Sequence, residues 1–200
     1  MLGVPRVSVA AEPGSRAAIN QAAAVNTELA LAYMREGNLK AAREKIDKAL
    51  QQDPDHVQAL VLHGYVRYRL MTPEQLVADP SPVLTHVEKA ARLAPDDFIA
   101  QYFCGWMLFE AGQYGRALEP LERSHQLSAQ CPDRRDSVLV MLGACCVNQN
   151  LLRGGRYLQE YGLEGGLGAL VGERVSEHAW ERSASGQEEA EAEGVIDTVR

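Results

Sequence analysis

The chain has 200 residues, 46% apolar and 24% charged, enough to bury a core without a disulfide or a structural metal. The net charge of −7 is uneven: residues 1–163 carry 17 basic and 18 acidic groups, and residues 164–200 carry 3 and 9. A near-neutral body with an acidic end argues against nucleic-acid binding, which needs a basic face for phosphates; with no apolar run of 18 residues, no transmembrane segment is expected.

In chain order, residues 1–16 hold no apolar stretch long enough for a signal peptide and no cysteine to carry a lipid, the first being Cys104. This stretch is expected to be flexible. A first helix is expected over 17–36 and a second over 39–52. Small residues Ala30, Ala42 and Ala49 let the two approach closely, and Tyr33 and Ile46 fill the space between them. Gly37–Asn38 makes the turn, and Asp53–Pro54 stops the second helix. Helices over 57–70 and 83–93 follow, joined by a longer loop from Met71 to Pro82 that contains three prolines. Two more pairs are expected, over 98–111 with 114–127 and over 134–149 with 152–161. Gly154, Gly155 and Gly162 lower the helix propensity of the last pair, which reads as a capping or a fraying unit. Gly162 to Gly168 is a hinge, residues 169–182 form one more short helix, and the small, acidic residues from Ser183 onward are expected to be disordered.

The pairs share a register. The small residue at Ala30 recurs as Gly64, Gly105 and Gly143, at spacings of 34, 41 and 38. Twelve positions on, Ala42, Ala117 and Gly155 are small; seven further, so are Ala49, Ser124 and Gly162. In the second unit the counterpart is Ala90, displaced by the seven residues that lengthen its loop. This pattern resembles the tetratricopeptide (TPR) repeat. The resemblance implies an all-α, right-handed helical solenoid of about four helix pairs, with repeats near 23–56, 57–97, 98–135 and 136–162 inside an array spanning 17–162.

No catalytic constellation stands in the sequence. His56, His63, His86, His125 and His178 lack an HExxH partner or a cysteine at ligand spacing, and no serine lies in GxSxG. His63, beside Gly64, reads as a structural histidine. Cys104, Cys131, Cys145 and Cys146 show no CxxC spacing, so they read as reduced thiols rather than zinc ligands. Neither a metal nor a cofactor is implied, and the expectation is a non-enzyme.

What remains is a surface. In a TPR array the first helix of each pair lines a concave groove. Carrying the register over places Thr27, Leu31, Met34 and Arg35 there in the first repeat, Val61, Tyr65, Tyr68 and Arg69 in the second, and Tyr102, Trp106, Phe109 and Glu110 in the third. Tyr65, Tyr68, Tyr102, Trp106 and Phe109 are five of the chain's twelve aromatics and suit capture of a peptide or helix, or alternatively packing between adjacent repeats. The partner-binding set is therefore Leu31, Met34, Tyr65, Tyr68, Tyr102, Trp106 and Phe109. The Lys and Asn residues with which TPR co-chaperones clamp a carboxylate are replaced here by Thr27, Leu31, Val61 and Tyr65.

A narrower resemblance covers residues 20–161. AAAVNTELALAYMREGNLKAAREKIDKALQQDPDHVQAL, the Gly105–Trp106 pair and the Gly143–Cys146 segment are similar to the pilotin family of type IV pilus biogenesis and stability proteins. That resemblance implies binding of the pilus secretin and help with its outer-membrane localisation and multimerisation, by binding and not turnover. Two features depart from the family: Cys104 replaces a tyrosine before Gly105, and the loop Met71–Pro82 is longer. The family's lipoprotein signal is also missing from residues 1–16. Two expectations stand side by side: a periplasmic, outer-membrane-associated pilotin with further chain before Met1, or a cytoplasmic TPR chaperone or adaptor of a secretion system.

Overall fold

Polar side chains cap the starts of four helices. Asn38 accepts from the Ala41 amide, His56 Nδ1 from Ala59, Thr72 from Gln75, and Asp97 from Ile99, so each helix opens with an otherwise orphaned donor satisfied. The computed structural model describes residues 13–149 and 154–160, and among them the chain forms helices and no strand. The helices are α1 Pro13–Arg35, α2 Leu39–Gln52, α3 Val57–Leu70, α4 Pro73–Ala78, α5 Ser81–Leu93, α6 Phe98–Glu110, α7 Tyr114–Gln126, α8 Arg135–Asn148 and α9 Gly154–Glu160. Two 3-10 turns, Ser128–Gln130 and Pro132–Arg134, join α7 to α8. The expected hinge after Gly162, the short helix over 169–182 and the tail from Ser183 lie outside the described residues.

Two expectations change. Helix α1 begins at Pro13, inside the stretch expected to be flexible; proline is tolerated in a first helical turn, and the alanine-rich run that follows favours helix. The loop Met71–Pro82 contains the helix α4, opened by a reciprocal capping box between Thr72 and Gln75 with Pro73 at its start. Its prolines start helices: Pro73 opens α4, and Pro82 sits in the first turn of α5.

The turns explain why the second repeat is longer. Gly37 and Gly112 occupy the same register position, with φ of +71° and +69°. At both, two amides fold back on the preceding helix: Gly37 to Met34 and Asn38 to Tyr33, Gly112 to Phe109 and Gln113 to Leu108. In the second repeat that position is Met71, which at φ −98° and ψ 150° is extended, so the chain runs outward into α4 instead of turning back. A Cβ at Gly37 or Gly112 would meet nothing within 4 Å, so only backbone strain opposes it. Gly37→Ala and Gly112→Ala should each lower stability by about 1 kcal/mol in urea melts. An unchanged midpoint would show that the turns tolerate another geometry.

The helices stack as an all-α solenoid. α1 packs on α2, α3 on α5, α6 on α7 and α8 on α9, and each second helix packs on the first helix of the next repeat. First helices also touch one another, α1 with α3, α3 with α6 and α6 with α8. Covered on several sides, α3 is buried continuously from Ala59 to Val66 and α6 from Ala100 to Leu108. The second helices are one-sided; α2 buries only Ala42, Ile46 and Ala49, at helical spacing.

One polar pair is enclosed in this packing. His63 of α3 is 6% exposed, its ring centroid 3.8 Å from that of His86 on α5, and its Nε2 is 3.5 Å from Asp47 Oδ1 on α2. Burial, then His86, Arg67 and Arg43, hold the His63 pKa down from 6.5 to about 4. Burial, Arg67 and Lys89 push His86 down too, against Asp47. Below about pH 6.5 the unfolded chain takes up protons that the folded pair refuses, so stability is full above that pH and falls as pH drops toward about 4. Urea midpoints measured from about pH 7 to about pH 5 should fall, and His63→Leu should flatten the fall. Equal slopes in the two proteins would assign the effect elsewhere.

The thiols also lie in the packing. Cys104, Cys145 and Cys146 are buried, Cys131 is half-buried, and none of the four is in a disulfide. Burial pushes Cys104 and Cys145 up to about 12, so neither offers a thiolate.

Candidate partner-binding groove

The first helices present their register-equivalent positions along one side of the array. The structure brings Tyr65, Tyr68, Tyr102 and Trp106 together, as the register implies. Trp106 lies 6.1 Å from Tyr65, 5.4 Å from Tyr68 and 6.1 Å from Tyr102, centroid to centroid. Phe103 joins them, at 5.6 Å from Trp106, 5.5 Å from Tyr102 and 6.0 Å from Tyr65; Phe98 stacks on Tyr102 at 5.7 Å. Phe109 does not join this group through Trp106. Its ring contact is with Tyr114 on α7, at 5.4 Å, so it packs within its own repeat.

Burial sets the character of the cluster. Leu31 is fully buried, Met34 and Trp106 are 6% exposed, Tyr102 is 5% and Tyr65 is 3%. Tyr68 and Phe109 are half-buried. Most of this set therefore packs one first helix against the next and forms a floor, while the polar edges of the rings reach a charged rim. Trp106 Nε1 donates to Glu110 Oε1 at 3.2 Å, and Tyr68 OH donates to Glu110 Oε2 at 3.1 Å. Arg69 donates to Tyr65 OH at 2.9 Å and lies 5.9 Å over that ring; Arg134 lies 5.7 Å over Tyr102. Both signs of charge thus stand beside one aromatic floor.

Phe103 and Arg134 were not legible as members. Phe103 is the neighbour of Tyr102 along the helix, and its burial depends on α3 crossing there. Arg134 belongs to a 3-10 turn that no periodicity announces. Among the described residues no group of three or more His, Cys, Asp or Glu side chains is placed to hold a metal, and no helix is long and apolar enough to cross a membrane.

Stacked helix pairs with a continuous inner layer define a repeat scaffold that binds other polypeptides. Tetratricopeptide repeats match at residues 23–56, the whole of the first repeat, and again at 84–133, from α5 through the third repeat. The chain is a tetratricopeptide-repeat protein, and such repeats make it a protein-interaction scaffold. No curated protein sequence matches it significantly. Among solved structures, PilF of Pseudomonas aeruginosa is similar in fold: the TM-score is 0.59 at 19% identity, covering 91% of this chain and 77% of that one.

Proposed function

We propose that this protein is a non-catalytic, pilotin-like scaffold of type IV pilus biogenesis that engages the pilus secretin along its concave side and assists secretin localisation and assembly. The observation that carries the reading is the likeness to PilF over 91% of the chain, a likeness of fold. The inner layer suits the task chemically. Leu31, Met34, Tyr65, Tyr102 and Trp106 form a rigid apolar floor, Tyr68 and Phe109 are its half-exposed part, and Arg69, Glu110 and Arg134 give the rim both signs of charge. A helix or extended peptide with one aliphatic face and charged flanks matches that arrangement.

The test is capture of the secretin by the intact protein with its native N-terminus, alongside Arg69→Ala and Glu110→Ala. Arg69→Ala should keep the melting temperature near the parent value and weaken capture, and Glu110→Ala, which also removes the acceptor of the Trp106 indole, should weaken capture by more than its loss of folded protein accounts for. An intact protein that fails to bind secretin, in cells whose pili assemble normally without it, ends the pilotin reading.

A second reading is a cytoplasmic TPR chaperone or adaptor of a secretion system, favoured by four cysteines that form no disulfide, which fits a reducing compartment. Cell fractionation separates the two readings. Recovery with the envelope supports the pilotin, and recovery with the cytosol supports the adaptor.

A further inference from the structure

The first helix of the array carries an apolar face that every later repeat covers. Relative to the small residue at Ala30, Gly64, Gly105 and Gly143, consider the positions five before, one before and two after. In the second repeat these are Ala59, His63 and Val66, in the third Ala100, Cys104 and Met107, and in the fourth Val138, Leu142 and Cys145; all nine are buried. The preceding second helix packs against each of these faces: Ala59 clusters with Ala49 and Leu50 of α2, and His63 meets Asp47 of α2. In α1 the same positions are Val25, Leu29 and Ala32. Val25 is 54% exposed, Leu29 is 42%, and Ala32 is exposed.

The face continues toward the helix start. Ala18, Ala22, Val25, Leu29 and Ala32 follow one another at steps of 4, 3, 4 and 3, the spacing of a helix-pairing seam, and none is charged. At about 1.5 Å per residue the seam is about 21 Å long. Helix α1 also begins at Pro13, ten residues before Ala23, the counterpart of the residue at which α3 begins; Ala17 to Gln21 stand exposed.

We propose that this face is a dimerisation surface, filled by α1 of a second copy of the chain running antiparallel across it. The seam is complementary to itself. With a twofold axis between Ala22 and Val25, Ala18 lies opposite Leu29 of the second copy and Ala22 opposite its Val25, so a small side chain meets a large one at each of these levels. The extra turns at the start of α1, which α2 does not cover, then lie over Leu29 of the other copy. The dimer fills the seat with a helix, as α2, α5 and α7 fill it in the later repeats.

Sedimentation of the full chain from low micromolar to submillimolar concentration should show the mass rising from 21.9 kDa toward twice that value. Leu29→Glu should raise the dimer dissociation constant more than tenfold, with an unchanged melting temperature because Leu29 is exposed in the monomer. In a Cys131→Ser background, mixing Ala22→Cys protein with Val25→Cys protein should give an intermolecular disulfide faster than Lys48→Cys, on the outer side of α2, gives with itself. A mass fixed at 21.9 kDa at the highest concentration overturns the proposal. Labelling of a Leu29→Cys thiol in that monomer then identifies the alternative. Slow labelling means that the chain before Pro13 fills the seat; fast labelling means that it stands open for a different protein.

Discussion

Trp106→Ala should lower the melting temperature by roughly ten degrees or more, a loss of about 3–5 kcal/mol for a buried large side chain. Trp106 is 6% exposed, contacts Tyr65, Tyr68, Tyr102 and Phe103, and its Nε1 donates to Glu110. Removing it opens a void between α3 and α6 and frees one carboxylate oxygen from its indole partner. The loss should be cooperative, because that joint holds the second repeat to the third. Tyr68→Ala should cost less, since Tyr68 is half-buried at the edge of the same group. Thermal melts and secretin capture measured on both variants separate the roles. Stability lost in Trp106→Ala with capture retained by the folded fraction makes the indole a strut of the floor. Capture lost at an unchanged melting temperature would place it in direct contact with a partner.

Gly105→Leu should destabilise by at least the 1–3 kcal/mol typical of overpacking, and Gly105→Ala should already be unfavourable. A Cβ at Gly105 would lie 2.6 Å from Leu121 Cγ, 2.7 Å from its Cδ2 and 3.2 Å from its backbone nitrogen. Leucine at 121 is itself fully buried and has no space to retreat into, and the backbone nitrogen cannot move without shifting α7. Against this stands the gain of about 1 kcal/mol from replacing glycine inside a helix. The clash outweighs that gain because it involves the root of the leucine side chain and backbone, not a flexible tip. Gly64→Ala should behave alike, its Cβ falling 2.3 Å from Val87 Cγ1 and 3.2 Å from the Val83 carbonyl oxygen. A variant at either position that melts like the parent would mean that the repeats pack in a different register.

Both substitutions probe what the order of residues along the chain makes legible. The recurrence of Ala30, Gly64, Gly105 and Gly143 is a statement about close approach, and Gly64 and Gly105 are indeed the points where α5 and α7 touch. Helix positions follow from signals within one or two turns: Asn38 and Asp97 as caps, Gly37 and Gly112 as left-handed stops. Such signals survive in any tertiary context because they concern neighbouring backbone. α4 carried them too, in Thr72, Pro73 and Gln75, but a six-residue helix among prolines shows no periodicity to set it apart from a loop.

The inner layer marks the limit. Periodicity places Leu31, Tyr65 and Trp106 on one face of their helices, yet the same face serves a groove or the packing of one first helix on the next. Only the distance between those helices decides which, and in this array they approach closely enough to bury the rings. The rings of His63 and His86, 23 residues apart, meet across two helices, and Arg134 reaches Tyr102 from a turn that follows a full repeat later. The exposure of Val25 and Leu29 has the same origin: their sequence pattern matches buried counterparts, and what differs is that among the described residues no helix precedes α1. Local chemistry along the chain is sufficient for the helices, their turns and the stacking register. Which apolar faces become interior and which remain available to a partner depends on what lies across from them, a relation between segments far apart in sequence that no short-range pattern encodes.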